Sequence, residues 1–128
     1  MWWRNTVRRR SATGALGEKI AADYLSGRGY TIRARNWRHG HGELDIVAER
    51  AGEIVFVEVR ARRSDAFGTP QESVLARKQA KLIETAQAYL ETHDLTDAQW
   101  QIDVIAIELD QSDALQRLDH IECAISQP

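Results

Sequence analysis

The chain contains one cysteine, Cys123, and two prolines among its 128 residues. A lone thiol excludes an internal disulfide framework and any zinc site built from several cysteines, which suits a reducing cytoplasm. Cys123 is expected to pack within a strand. No apolar run is long enough to cross a bilayer, so no membrane partner is expected. The opening MWWRNTVRRR is basic, yet no apolar stretch of signal-peptide length follows Arg10, so neither a secretory nor a twin-arginine signal is expected. No serine sits in a nucleophile elbow. His39, His41, His93 and His120 lack the spacing of a zinc or HNH-type site, and RHGHGE reads first as a glycine-rich turn.

Positive charge is also short overall, with a net charge of −2, but it is unevenly spread. Through Arg63 there are 13 Lys+Arg against 7 Asp+Glu, a surplus of +6, and from Ser64 onward 4 against 12, a deficit of −8. A local basic surface able to meet phosphate is therefore compatible with an acidic total. With 43% hydrophobic and 28% charged residues the composition is that of one globular domain, expected over residues 13–128 behind a flexible basic arm at 1–12.

Leu16, Ile20, Tyr24 and Leu25 recur at helical intervals before Gly27 and Gly29, predicting a first helix with Glu18 at the edge of its apolar arc. From Tyr30 the period becomes two: Tyr30, Ile32 and Ala34 alternate with Thr31, Arg33 and Arg35 toward Trp37. Residues 43–49 and 54–62 form the next two strands, joined by a hairpin. A loop containing Gly68 and Pro70 precedes a second helix near 75–92, then a strand QIDVIAIEL and a last, marginal strand RLDHIECAI. The order α-β-β-β-α-β-β predicts an α/β layer structure with a central mixed sheet flanked by helices.

The hairpin carries the chemistry. If Ala51 and Gly52 form its tip, Arg50 faces Glu53 and the count back pairs Asp45 with Glu58 and Glu43 with Arg60. Leu44, Ile46 and Ala48 then face the core opposite Val55, Val57 and Val59. Two carboxylates about 5 Å apart on one face repel by about 3 kcal/mol at an effective dielectric near 20. A shared proton, neighbouring arginines or a divalent cation would each offset this, and hard cations such as Mg²⁺ prefer carboxylate oxygen. The plainer alternative is a surface face on which Arg60 and Arg62 neutralise the acids. A three-residue loop without a bulge would place the acids on opposite faces.

GELDIVA followed by IVFVEVRAR, with GALGEKIAADYL upstream and HIECAI near the end, resembles the YraN-type family of small bacterial proteins. That family belongs to the PD-(D/E)XK, restriction endonuclease-like superfamily and is similar to archaeal Holliday junction resolvases. The resemblance runs from Gly14 onward and implies an αβββαβ core with a C-terminal edge strand. It also implies a metal-dependent endonuclease that hydrolyses phosphodiester bonds in DNA, branched or structured DNA included. Under it, Glu18, Asp45 and Glu58, with the Val59 carbonyl, would be ligands for Mg²⁺ or Mn²⁺. Arg60 stands where the superfamily usually has lysine; an arginine cannot serve as general base but can hold phosphate. Lys78 and Gln79 resemble polar positions near such sites, Gln79 reading first as a solvated helix position.

Arg33, Arg35, Arg38, Arg62, Arg63 and Lys78, with Trp37 among them, are the expected nucleic-acid-binding residues, guanidinium on phosphate and indole on base. Asp103 either orients a ligand or caps an edge. Cutting two strands symmetrically would require a homodimer, since one site per chain is implied. The competing class is a non-catalytic nucleic-acid-binding or adaptor module that retains the fold, and Arg60 keeps it open.

Overall fold

The computed structural model describes residues 12–64 and 76–125. The expected N-terminal arm, except Ala12, lies outside them, as does the loop holding Gly68 and Pro70. Ala12 already belongs to the first helix. The elements are α1 (Ala12–Gly27), β1 (Thr31–His39), β2 (Gly42–Arg50), β3 (Glu53–Arg63), α2 (Ala76–Thr92), β4 (Trp100–Leu109) and β5 (Leu115–Ile125). This is the mixed α/β order expected from the sequence. The five strands lie in the sheet order β1-β2-β3-β4-β5. Only β3 and β4 are parallel, and α2 forms the crossover between them.

The β2–β3 turn has the two-residue form the sequence suggests. Ala51 and Gly52 have φ of 54° and 81°, and two left-handed residues are what an I′-type hairpin needs to match strand twist. Pairing accordingly runs from Arg50↔Glu53 through Glu49↔Ile54 and Val47↔Phe56. Strand β3, bearing IVFVEV, is buried on both faces, as befits the middle of a sheet covered twice.

The expectation of a single core face on this hairpin is corrected. One cluster packs Ile46, Ala48, Val55 and Val57 with Ala21, Ala22 and Leu25 of α1. The other packs Val47, Ile54 and Phe56 with Leu82, Ala86, Tyr89 and Leu90 of α2. The helices approach closely at two glycines. A Cβ on Gly17 would collide with that of Ala61, and one on Gly42 with the Thr85 hydroxyl. Because Gly17, Ala21 and Ala22 are small, α1 settles on the sheet along Gly17, Glu18, Ala21, Ala22 and Leu25. Glu18 is thus in the middle of the buried face, not at its edge.

Strand β1 departs from simple alternation. A register shift between Ile32 and Ala34 sends Ile32 to the α1 cluster and Ala34 to the α2 cluster. Asn36 then takes a left-handed φ of 55°. On either side of it Arg35 pairs with Ile46 and Trp37 with Leu44, residues of opposite core clusters. Leu44 therefore joins the α2 side instead of accompanying Ile46, and the position between them is Asp45.

At the far edge, β5 pairs with β4 alone among the described residues. Cys123 is exposed and has φ of 50°, so the expectation that it packs does not hold. Its N–H donates to Asp103 Oδ1 at 2.9 Å, within the irregular stretch between the pairs Val104↔Ile121 and Ile102↔Ile125.

Candidate functional site

The β2–β3 ladder ends at Ile46↔Val57. Beyond that point β2 continues beside β1 to Gly42↔His39, while β3 continues beside β4 to Arg63↔Leu109. The sheet forks where Asp45 and Glu58 would have been the next pair. Continuing the ladder would bring the Val59 N–H to a main-chain carbonyl of β2. It instead donates to Asp45 Oδ2 at 2.8 Å, so the side chain takes the place of the missing ladder bond. The fork encloses a narrow, mostly apolar crevice without room for a water molecule, lined by Leu44, Asp45, Phe56, Val57, Glu58, Leu82 and Ile102.

Both acids of the hairpin meet in this fork. Burial pushes the Asp45 carboxyl well above the usual carboxylate range, and the charge of Glu58 pushes it further in the same direction. The Val59 N–H works against these effects, while the charge of Glu18 and a hydrogen bond with Glu58 add to them. Glu18 is 1% exposed and reaches Asp45 from α1 through its field. Acids from α1 and β3 therefore both act on Asp45, and the pair in the fork shares a hydrogen bond. Nearby cations partly offset the charge. Arg35 Nη2 lies 3.5 Å from Glu18 Oε1, and Lys78 Nζ lies 3.7 Å from Glu58 Oε2.

The donor set suits a hard divalent ion, since carboxylates and a main-chain carbonyl are all oxygen. As the side chains stand, no three His, Cys, Asp or Glu groups among the described residues surround a common point as metal ligands. Glu18 is turned to Arg35 and Glu58 to Lys78. The fit to a cation thus lies in the chemistry and proximity of the donors; closing a cage requires those two acids to turn from their cations.

Arg60, two residues beyond Glu58 on β3, is 5% exposed, so the guanidinium proposed for phosphate lies inside the protein. Several of the expected nucleic-acid-binding arginines are paired with acids of the chain. Arg33 donates to the Tyr89 hydroxyl at 3.0 Å and to Glu49 at 2.9 Å. Arg38 pairs with Glu43, Arg62 with Glu108, and Arg63 with Asp113. Trp37 is half-buried, with His39 stacked on it at 5.9 Å and Tyr89 meeting it edge-on at 5.2 Å. The structure gives this indole a packing role. Arg35 and Lys78 are the two of the set that the fold carries to the acids.

One position beside the fork escaped the sequence reading, and Asp103 takes the second of its two expected roles. Asn36 makes the β1–β2 kink between the pairs Arg35↔Ile46 and Trp37↔Leu44; an asparagine inside a strand pattern is the available signal, because it tolerates left-handed φ. Asp103, fully buried, accepts from Cys123 and bonds His120 Nε2 at 2.8 Å. His120 Nδ1 in turn lies 3.0 Å from the Tyr24 hydroxyl on α1, so Asp103 serves the edge strand.

Residues 17–107 match the model of the family described as Uncharacterised protein family UPF0102. The chain belongs to this family. The resemblance to YraN-type proteins read from GELDIVA and IVFVEVRAR is thereby borne out. A UPF0102 protein of Roseiflexus castenholzii is 42% identical over 120 residues, covering 93% of this chain and 97% of the relative. One from Moorella thermoacetica is 44% identical over 119 residues, again covering 93% and 97%. Among solved structures, an XisH family protein from Nostoc punctiforme aligns with a TM-score of 0.41 and 15% identity, over 80% of this chain and 98% of its own. Pyrococcus furiosus SfsA, solved in complex with Ca²⁺, aligns with a TM-score of 0.38 and 18% identity, over 86% and 62%. At these scores neither likeness bears on activity. No helix among the described residues is long and apolar enough to cross a membrane.

Proposed function

We infer that this UPF0102 member is a divalent-cation-dependent nuclease that hydrolyses phosphodiester bonds in DNA, branched or structured DNA included, in the cytoplasm. The observation that carries this reading is the meeting of Asp45 and Glu58 in the fork of the sheet, with the charge of Glu18 felt at the same point. A fold does not by itself confer chemistry, but a pair of acids retained at a deliberate break in a ladder opposes stability and calls for a functional reason.

Asp45, Glu58, Glu18 and the Val59 carbonyl would hold Mg²⁺ or Mn²⁺. The ion would activate a water and stabilise the charge developing on the phosphate. The protein's own residues supply the rest. Asp45 is held in place by the Val59 N–H, so its orientation is set before any ligand arrives. Lys78 brings from α2 an ammonium to the acid that precedes Arg60 by two residues, restoring a lysine to a site whose strand position has arginine. A cation held by Glu58 and Glu18 would compete with Lys78 and Arg35 for these carboxylates, and both basic groups would then be placed to face phosphate. Neither Arg35 nor Arg60 can accept the proton of the attacking water.

The test is a cleavage panel of linear, flapped and four-way junction DNA with Mg²⁺ or Mn²⁺. The wild-type protein should cut at least one substrate, and Asp45→Asn or Glu58→Gln should lower the rate by at least about 100-fold while remaining folded. Equal cleavage by these variants would remove the site from the reaction. A second reading, a DNA-binding adaptor without hydrolysis, is favoured by the turn of Glu18 and Glu58 toward Arg35 and Lys78. It predicts salt-dependent DNA binding that needs no divalent ion, and no cutting.

A further inference from the structure

We propose that two copies of this chain associate edge to edge through β5, in antiparallel register centred on Leu118, forming one continuous sheet. The proposal stands on the edge strand and does not depend on the nuclease reading. Strand β5 is 11 residues long and, among the described residues, has a neighbour on one side only. Such an edge presents a row of main-chain donors and acceptors ready to pair. It also carries the two large apolar side chains that the described residues leave exposed, Leu115 at 48% and Ile121 at 37%.

The register follows from charge. Arg117 to Ile121 pairs with β4 without a shift, whereas shifts occur between Leu115 and Arg117 and beyond Ile121. This straight segment is what a second strand can follow. In a continuous antiparallel sheet the two-fold axis passes beside one residue of each copy, so each candidate register sets one residue against itself. Centring on Arg117 or on Asp119 sets like charges directly opposite, which is destabilising. Centring on His120 leaves Asp119 against Ile121, and centring on Ile121 carries Arg117 and Asp119 past the straight segment of the partner; neither sets Arg117 against Asp119. Centring on Leu118 sets Leu118 against itself and Arg117 of each copy against Asp119 of the other. Arg117 and Asp119 already lie on one face, bonded at 2.9 Å within the chain, so both are presented together. A second copy is therefore the occupant whose charges complement this edge.

The full chain should sediment at twice its 14.5 kDa. Arg117→Asp and Asp119→Arg should each weaken self-association by at least about tenfold, because each sets like charges opposite across the axis. An equimolar mixture of the two variants should regain the dimer, because the first variant presents two acids at these positions and the second presents two arginines. That recovery separates an inter-chain contact from the pairing within one chain, which neither variant restores. Both variants should retain the wild-type circular dichroism, since both side chains are solvent-accessible. A monomeric wild-type protein at high concentration would overturn the proposal. So would single variants as dimeric as wild type, or a mixture that stays monomeric.

Discussion

At the scale of the residue, Asp45 is the group on which the site turns. Its carboxyl is raised above the ordinary range by burial and by Glu58, so ionising it in the folded chain costs stability. The sign is that of an acid whose folded pKa exceeds its unfolded one. The cost is absent below the unfolded value and grows as pH rises toward the folded value. Without divalent ions, Asp45→Asn should therefore be more stable than wild type near pH 8 by on the order of 1–3 kcal/mol, with the difference shrinking toward pH 4. Denaturation curves of both proteins across that range check this, and a difference independent of pH would contradict it. The amide keeps an acceptor for the Val59 N–H, so the comparison isolates charge. Much of this was legible in the sequence. A two-residue tip at Ala51 and Gly52 set the hairpin count, and the count brought Asp45 to Glu58. The burial of Glu18 was not legible, because hydrophobic periodicity follows Leu16, Ile20 and Tyr24, whereas α1 settles on its small residues. Nor was the fate of the arginines, since pairing with Glu49, Glu43 or Glu108 depends on neighbours brought close only by the fold.

At the scale of the element, close approach decides where the acids stand. Gly17 lets α1 lie against Ala61 of β3, which delivers the neighbouring Glu18 beneath the sheet. Gly17→Ala should cost about 1–3 kcal/mol from overpacking, despite the better helix propensity of alanine. Adding Ala61→Gly should recover part of that loss, as read by chemical denaturation; no recovery would mean that the contact does not set the spacing. Strand β5 is held by a different device, a relay from buried Asp103 through His120 to Tyr24. His120→Ala removes a partner from each of two buried or half-buried polar groups and should cost about 1–3 kcal/mol. Faster amide exchange in β5 than in β4 would accompany that loss, and uniform exchange through both strands would argue against a local latch. The order of elements was readable from periodicity because each is long and strongly patterned. The kink at Asn36 was not, since a single left-handed residue leaves the alternation of its neighbours nearly unchanged in the sequence.

At the scale of the whole molecule, a mixed sheet held between two helices opens at one fork, and the acids of three elements are gathered there. The fork lies between β2 and β3, while β5, the proposed meeting edge of two copies, lies two strands beyond β3. A dimer built on β5 therefore leaves both forks uncovered by the interface and keeps them on the same face of a continuous sheet. The central claim is that the fork holds a divalent ion through Asp45 and Glu58, and calorimetric titration of the full chain with Mn²⁺ tests it most directly. The account predicts one ion or an adjacent pair per chain for the wild type, and affinity lowered by at least about tenfold in Asp45→Asn. Equal Mn²⁺ affinity in the two proteins, or no binding by the wild type, would contradict it.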